Sequence, residues 1–209
     1  VQQELLPYAF QLVLLAVELN KNSENLNYYK LMSWFWRTSW SEVFGTGAYR
    51  QVKIEQERLR KALNNTNVDA VWQREVTLPL WFDFRSARVR LVMLRLAMNP
   101  QLVDVNSQPV QAKELLQQYG KNALVRLFSP KSNHNSRIKQ LLQGAGNRFL
   151  IDPRQESLFK ERLLNGPSLS KVVLDAHFID EECVVCLENN NLEGFLERRT
   201  KLLTDWDLA

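Results

Sequence analysis

Along most of this chain apolar residues recur at three- and four-residue spacing, and only seven glycines and seven prolines interrupt them. That period belongs to amphipathic helices. A first helix is predicted over residues 3–20, with Pro7 in its first turn, where a backbone N–H has no helical partner anyway. A second is predicted over 24–44, with Leu26, Tyr29, Trp36, Trp40 and Val43 on one stripe that Met32 and Phe35 widen. The break Phe44-Gly45-Thr46-Gly47 separates it from a charged helix over 49–63, whose apolar edge is Val52, Leu59 and Leu63 and which a run of asparagines and Thr66 closes. A short helix over 68–74 leads into VTLPLWFDF (76–84), where β-branched and aromatic residues with Pro79 favour an extended passage. Ser86 is expected to cap a helix over 87–99 that Asn99-Pro100 ends. Further helices are predicted over 112–119, 136–143, 156–164, 168–177, 180–188 and 191–206. The expected fold class is therefore mainly α, a bundle-like assembly of many helices with few short strands. The polar turn at 99–109 is the best place for a boundary, dividing a helical region 1–104 from a C-terminal helical region 105–209, unless the two form one continuous domain. No internal repeat or low-complexity tract is visible.

Composition narrows the class. With 45% apolar and 24% charged residues the 209-residue chain reads as a globular protein long enough to bury a substantial core. A helical pattern that starts almost at Val1 suggests further sequence upstream. The longest apolar stretch, 5–17, is broken by Pro7 and Gln11 and is short of the ~20 residues that span a bilayer, so no membrane partner is expected. No basic segment or small-residue cleavage site precedes it, as a secretory signal would require. Cys183 and Cys186 form a lone Cys-x-x-Cys inside DEECVVCLEN, a helix opened by Asp180. A structural zinc site needs a second pair of ligands, and a redox motif follows a strand; neither condition is met. A buried, reduced pair is expected, which fits a cytoplasmic protein.

Charge is distributed unevenly beneath the net +4. From Lys121 to Arg154 seven cations stand against Asp152 alone, whereas from Asp175 onward nine carboxylates stand against three cations. Such blocks can bind each other or leave the basic one free for phosphates, and composition does not choose between these.

Three blocks resemble the later part of the GmrSD-type restriction endonuclease family: LMSWFWRTSWSEVFGTGAYRQ, the stretch 86–120, and NRFLIDP with LDAHFIDEECVVCLENNNLEGFLERRTKLLTDW. Together they span most of the chain, although each is a packing motif. The resemblance implies an upstream ParB-like nucleotidase domain with an Asp-Gly-Gln-Gln-Arg motif, which has no counterpart here. It also implies that RLFSPKSNHNSRIKQLLQGAGNRFLI (126–151) is similar to a ββα-metal, HNH-type nuclease core. Where such cores carry His-x-x-Pro, this chain reads Leu127-Phe128-Ser129-Pro130, with the histidine gone. Asn147 stands where these proteins keep an asparagine before an apolar strand. A metal nuclease needs a histidine base and further metal ligands, and this chain holds only His134 and His177.

No catalytic residue, metal ligand or cofactor is therefore expected: there is no Walker-type loop, no G-x-S-x-G elbow and no clustered metal carboxylates. His134 reads as a solvated loop residue, and His177 as a helix C-cap favoured by the helix dipole. Asp180, Glu181 and Glu182 open a helix, which explains them without metal. The aromatic run Trp34, Phe35, Trp36 and Trp40 reads as core, and Arg85, Arg88, Arg90 and Arg95 as a solvated or ion-paired face. Nucleic-acid contact is placed on Lys131, Arg137, Lys139 and Arg148, since arginine grips phosphate through two N–H groups and lysine supplies point charge. The function expected is a non-catalytic helical region of a GmrSD-like restriction or defence protein, partnered by its upstream domain and by DNA. A protein-interaction scaffold without DNA affinity is the alternative, and a surviving nuclease built from His134, Asn147 and Asp152 the third.

Overall fold

The computed structural model describes residues 5–21, 27–45, 49–64, 78–165 and 168–208. Its described residues form ten α-helices and one two-stranded antiparallel sheet, a mainly α fold. None of the helices is long and apolar enough to cross a membrane. The helix expected over 68–74 lies outside the described residues.

The chain divides into two compact units. The smaller comprises residues 6–76 and 85–91 and holds α1 (Ala9–Lys21), α2 (Tyr28–Trp40) and α3 (Tyr49–Asn64). Pro7 precedes α1 and does not sit within its first turn. Asn27 caps α2 by accepting from Lys30 N at 3.1 Å, which satisfies one of the donors a helix start leaves over. The core of this unit is Leu14, Leu31, Trp34, Phe44 and Leu59. The buried stripe of α2 is thus Leu31, Trp34 and Thr38, rotated from the predicted one, and Tyr29 is 83% exposed. A buried amide explains the rotation. Gln11 Nε2 donates to Thr38 Oγ1 and Ser39 Oγ, both at 2.7 Å, and these hydroxyls donate to the carbonyls of Trp34 and Phe35. The polar residues of α2 therefore turn inward.

The larger unit comprises residues 1–5, 77–84 and 92–209, and the expected boundary at 99–109 falls inside it. Helix α4 (Ala87–Ala97) contributes residues to both units. Ser86 precedes it, but its hydroxyl is directed to Glu42 Oε1 at 3.5 Å. Then follow α5 (Ala112–Tyr119), β1 (Leu124–Arg126), α6 (Ser136–Leu141), β2 (Arg148–Leu150), α7 (Glu156–Leu164), α8 (Lys171–Ala176), α9 (Glu181–Glu188) and α10 (Leu192–Leu208). Val125, Leu127, Phe149, Phe159, Val173 and Phe195 anchor one continuous core among them. α10 packs against α9, α6 and a 3-10 turn, Ala145–Asn147. At that turn only glycine fits, because a Cβ on Gly146 would lie 2.5 Å from Leu196 O.

Candidate nucleic-acid interface

The two strands pair Leu124 with Leu150, Val125 with Phe149 and Arg126 with Arg148. Backbone bonds run from Leu127 N to Asn147 O and from Ile151 N to Ala123 O. The narrow hydrogen-bonded pairs are therefore 123/151, 125/149 and 127/147, and Arg126 faces Arg148 in the intervening pair type, where opposed side chains come closest. Val125 and Phe149 turn to the core, and the arginines share the other face with Leu124 and Leu150. Two like charges in that position repel. Neither arginine forms an ion pair with a described residue, and Arg148 Nε is buried without a hydrogen-bond partner. Burial, and secondarily the charge of Arg126, pulls the Arg148 pKa down to about 10, which leaves it protonated at neutral pH. Its guanidinium carbon lies 5.5 Å from the centre of the Phe82 ring, and Phe82 N donates to Gln143 O at 2.9 Å. Next to Phe82, Trp81 is 62% exposed.

Asn147 organises the loop between the strands. Fully buried, it accepts from Phe128 N at 2.9 Å and donates to the carbonyls of Phe128 at 2.7 Å and Leu142 at 2.8 Å. Leu127, at the position where the nuclease pattern has histidine, is a buried core residue.

The remaining expected contacts lie apart in character. Lys131 is exposed, and its backbone N–H donates to His134 Nδ1 at 3.1 Å, closing the loop on itself. Asn135 caps α6 by accepting from Ile138 N. Arg137 and Lys139 are both exposed on α6, but positions i and i+2 of a helix differ by about 200° around the axis, so they do not share a face. Arg137 pairs with Glu197 at 2.6 Å, the one expected cation bound to the acidic C-terminal block. Both partners are about half exposed, and such pairs contribute little. Among the described residues Lys139 Nζ reaches only Ser132 O, at 3.5 Å. Arg126 was absent from the sequence-derived set. The local pattern did not mark it, because Leu124 on the same strand face is buried, and its partner is 22 positions away in sequence.

The other candidates are structural. Asp152 accepts from Arg154 at 2.6 Å and caps a 3-10 turn, which together with its bond to Arg154 holds its carboxyl below the usual range. With Asn147 saturated, His134 and Asp152 gain no third ligand, and no group of three His, Cys, Asp or Glu side chains converges among the described residues. Asp180 caps α9 through Cys183 N at 3.0 Å, and Arg198 bridges Asp180 and Glu182. Cys183 and Cys186 are free thiols, and burial raises the Cys183 thiol to about 12, far from a reactive thiolate.

His177 is the C-cap of α8, as expected, but the dipole account fails. Its ring is fully buried, and that burial, with the charge of Arg199, lowers its pKa to about 4, so it is neutral at physiological pH. Nε2 lies 3.1 Å from Val103 O and donates to it, since a carbonyl can only accept. Arg199, also buried, donates to the carbonyls of His177, Ala145 and Gly146 and lies over the Phe149 ring at 3.6 Å. In the smaller unit Arg88 donates to Trp40 O and Arg90 to Leu6 O, and in the larger Arg95 stacks on Trp206. These three are held by the protein. Trp34 is core, while Trp36 and Trp40 are half-buried.

No protein-family model, curated protein or solved structure matches the chain.

Proposed function

We propose that this chain is a non-catalytic, mainly helical region of a GmrSD-like restriction or defence protein, supporting an upstream catalytic domain and contacting DNA phosphates without reading sequence. The observation that carries the DNA contact is the Arg126–Arg148 pair. Two guanidinium groups placed side by side, with no ion pair to a described residue, are a cost to folding, and a phosphate oxygen between them converts that repulsion into two charge-assisted contacts. Lys131 and Lys139 add exposed positive charge from the intervening loop and helix, and Trp81 offers an aromatic face beside Phe82. The kinship is supported by the order of the elements. An antiparallel strand pair whose connection is pinned by an asparagine is followed by α7, as in a ββα core, although here α6 lies between the two strands. The non-catalytic reading is supported by Leu127, whose side chain is in the core at the position of the nuclease histidine.

Fluorescence anisotropy with a labelled duplex at two salt concentrations tests this. Binding should weaken steeply with salt, and Arg126→Gln/Arg148→Gln should lose most of it. No binding by the unmodified protein at low salt would sink the DNA contact. The second reading, a protein-interaction scaffold, is favoured by the exposed valines Val172 and Val185 on α8 and α9.

A further inference from the structure

Helix α9 packs on the core through the buried Cys183 and the half-buried Val184, Cys186 and Leu187, and among the described residues nothing covers its side bearing Glu181, Val185 and Glu188. The stripe that borders the groove is Glu181, Val184, Val185 and Glu188, the i, i+3, i+4, i+7 positions of one helix face, with Val184 half-buried against the core and the other three exposed. Across from it, α8 presents Lys171, Leu174 and Asp175, again at i, i+3 and i+4. Between these stripes runs an open groove of about 740 Å³, floored by Leu169, Leu174, Ile179 and Val184. Val185 is 52% exposed above it. Each stripe has an apolar middle and charged ends, which is the surface a third amphipathic helix would complete.

Charge selects the occupant. Five carboxylates line the groove against Lys171 and Arg198. Arg198 is already committed, at 2.6 Å to Asp180 and 2.8 Å to Glu182. Asp175, Glu181 and Glu188 thus face the opening with Lys171 as the one uncommitted cation among the lining residues. An anionic ligand would be repelled, and a neutral apolar helix would leave the acidic rim uncompensated.

We propose that the groove between α8 and α9 binds a basic amphipathic helix of a partner polypeptide, its leucine-like residues on the apolar floor and its lysines or arginines on the carboxylate rim. This is recognition of a helix in a groove, with anchors at i, i+3, i+4 and i+7 and charge fixing the orientation. The site is independent of the Arg126–Arg148 pair.

The probe is a labelled 18-residue peptide of leucine and lysine with leucines at that spacing, titrated into the full chain and followed by anisotropy. A companion peptide carrying glutamate for every lysine is the comparison. The lysine peptide should bind at least ten-fold more tightly than its glutamate counterpart. Val185→Lys and, separately, Glu181→Lys/Glu188→Lys should each weaken it ten-fold or more. The exposed positions of these substitutions keep the fold intact, which circular dichroism checks. The charge-matched control Glu57→Lys/Glu161→Lys, exposed but outside the groove, should leave binding within two-fold, as should Arg126→Gln/Arg148→Gln. Equal binding of the two peptides, or equal losses in the groove and control variants, would overturn the proposal by showing no groove-specific site.

Discussion

Asn147 concentrates three buried hydrogen bonds in one side chain. Asn147→Ala strands Phe128 N and the carbonyls of Phe128 and Leu142 away from water, so a loss of about 3 kcal/mol is expected in urea unfolding, at 1–3 kcal/mol per orphaned group after partial relaxation. A change under 1 kcal/mol would mean that the loop holds itself without this residue. His177 sets a pH dependence. Its folded pKa is depressed to about 4 from 6.5, so between those values the unfolded chain binds the extra proton. Stability from this group is complete above pH 6.5, declines as pH falls toward 4, and is gone below that, a total of about 3 kcal/mol. Unfolding midpoints from pH 7 to pH 4 should show the decline, and His177→Gln should flatten it whatever its own stability. Asp152, with its carboxyl depressed below 3.8, titrates beneath that window and does not mimic the effect.

At the level of elements, the short β1–β2 ladder combines a favourable face and an unfavourable one. Val125 and Phe149 bury against the core, while Arg126 and Arg148 repel on the opposite face, beside the buried Leu124 and Leu150. Arg126→Gln should therefore stabilise the protein by about 0.5 kcal/mol in chemical denaturation while weakening DNA binding. Destabilisation instead would show that Arg126 has a partner within the fold. The contact of α10 with the turn Ala145–Asn147 leaves no room for a methyl group on Gly146. Gly146→Ala should cost about 2 kcal/mol, the scale of an overpacked core, and lower the thermal midpoint; an unchanged midpoint would mean that α10 shifts freely. Much of this level was legible in the sequence. α5 and α7 occupy the predicted spans, and Asp180 opens α9, because caps and helical periodicity are local. The buried side of α2 was not legible. Trp34 and the hydroxyl of Thr38 turn inward only because Gln11, 27 positions away, supplies an amide there.

For the molecule as a whole, the proposed DNA contact has a quantitative signature. If Arg126, Lys131, Lys139 and Arg148 each displace a counterion from duplex DNA, log Kobs should fall with log salt at a slope of about −3.6, and Arg126→Gln/Arg148→Gln should roughly halve it. A slope near zero would remove the phosphate contact. The sequence contained the raw material for that surface, a cationic block against one carboxylate, and it named three of these four side chains. It did not show that Arg137 is bound to Glu197, 60 positions on, or that Arg126 and Arg148 meet across a ladder. Nor did it show that Arg199 is buried and donates to His177 O, with no ion pair to a described residue. By itself, the sequence determined that this protein is mainly helical, where most helices begin and end, and which segments carry charge, because propensity, capping and periodicity act within a few residues. Only the tertiary structure decided which faces are buried, which cations are neutralised and which stay free, because those depend on groups brought together from distant positions, and burial decides what each charge is worth.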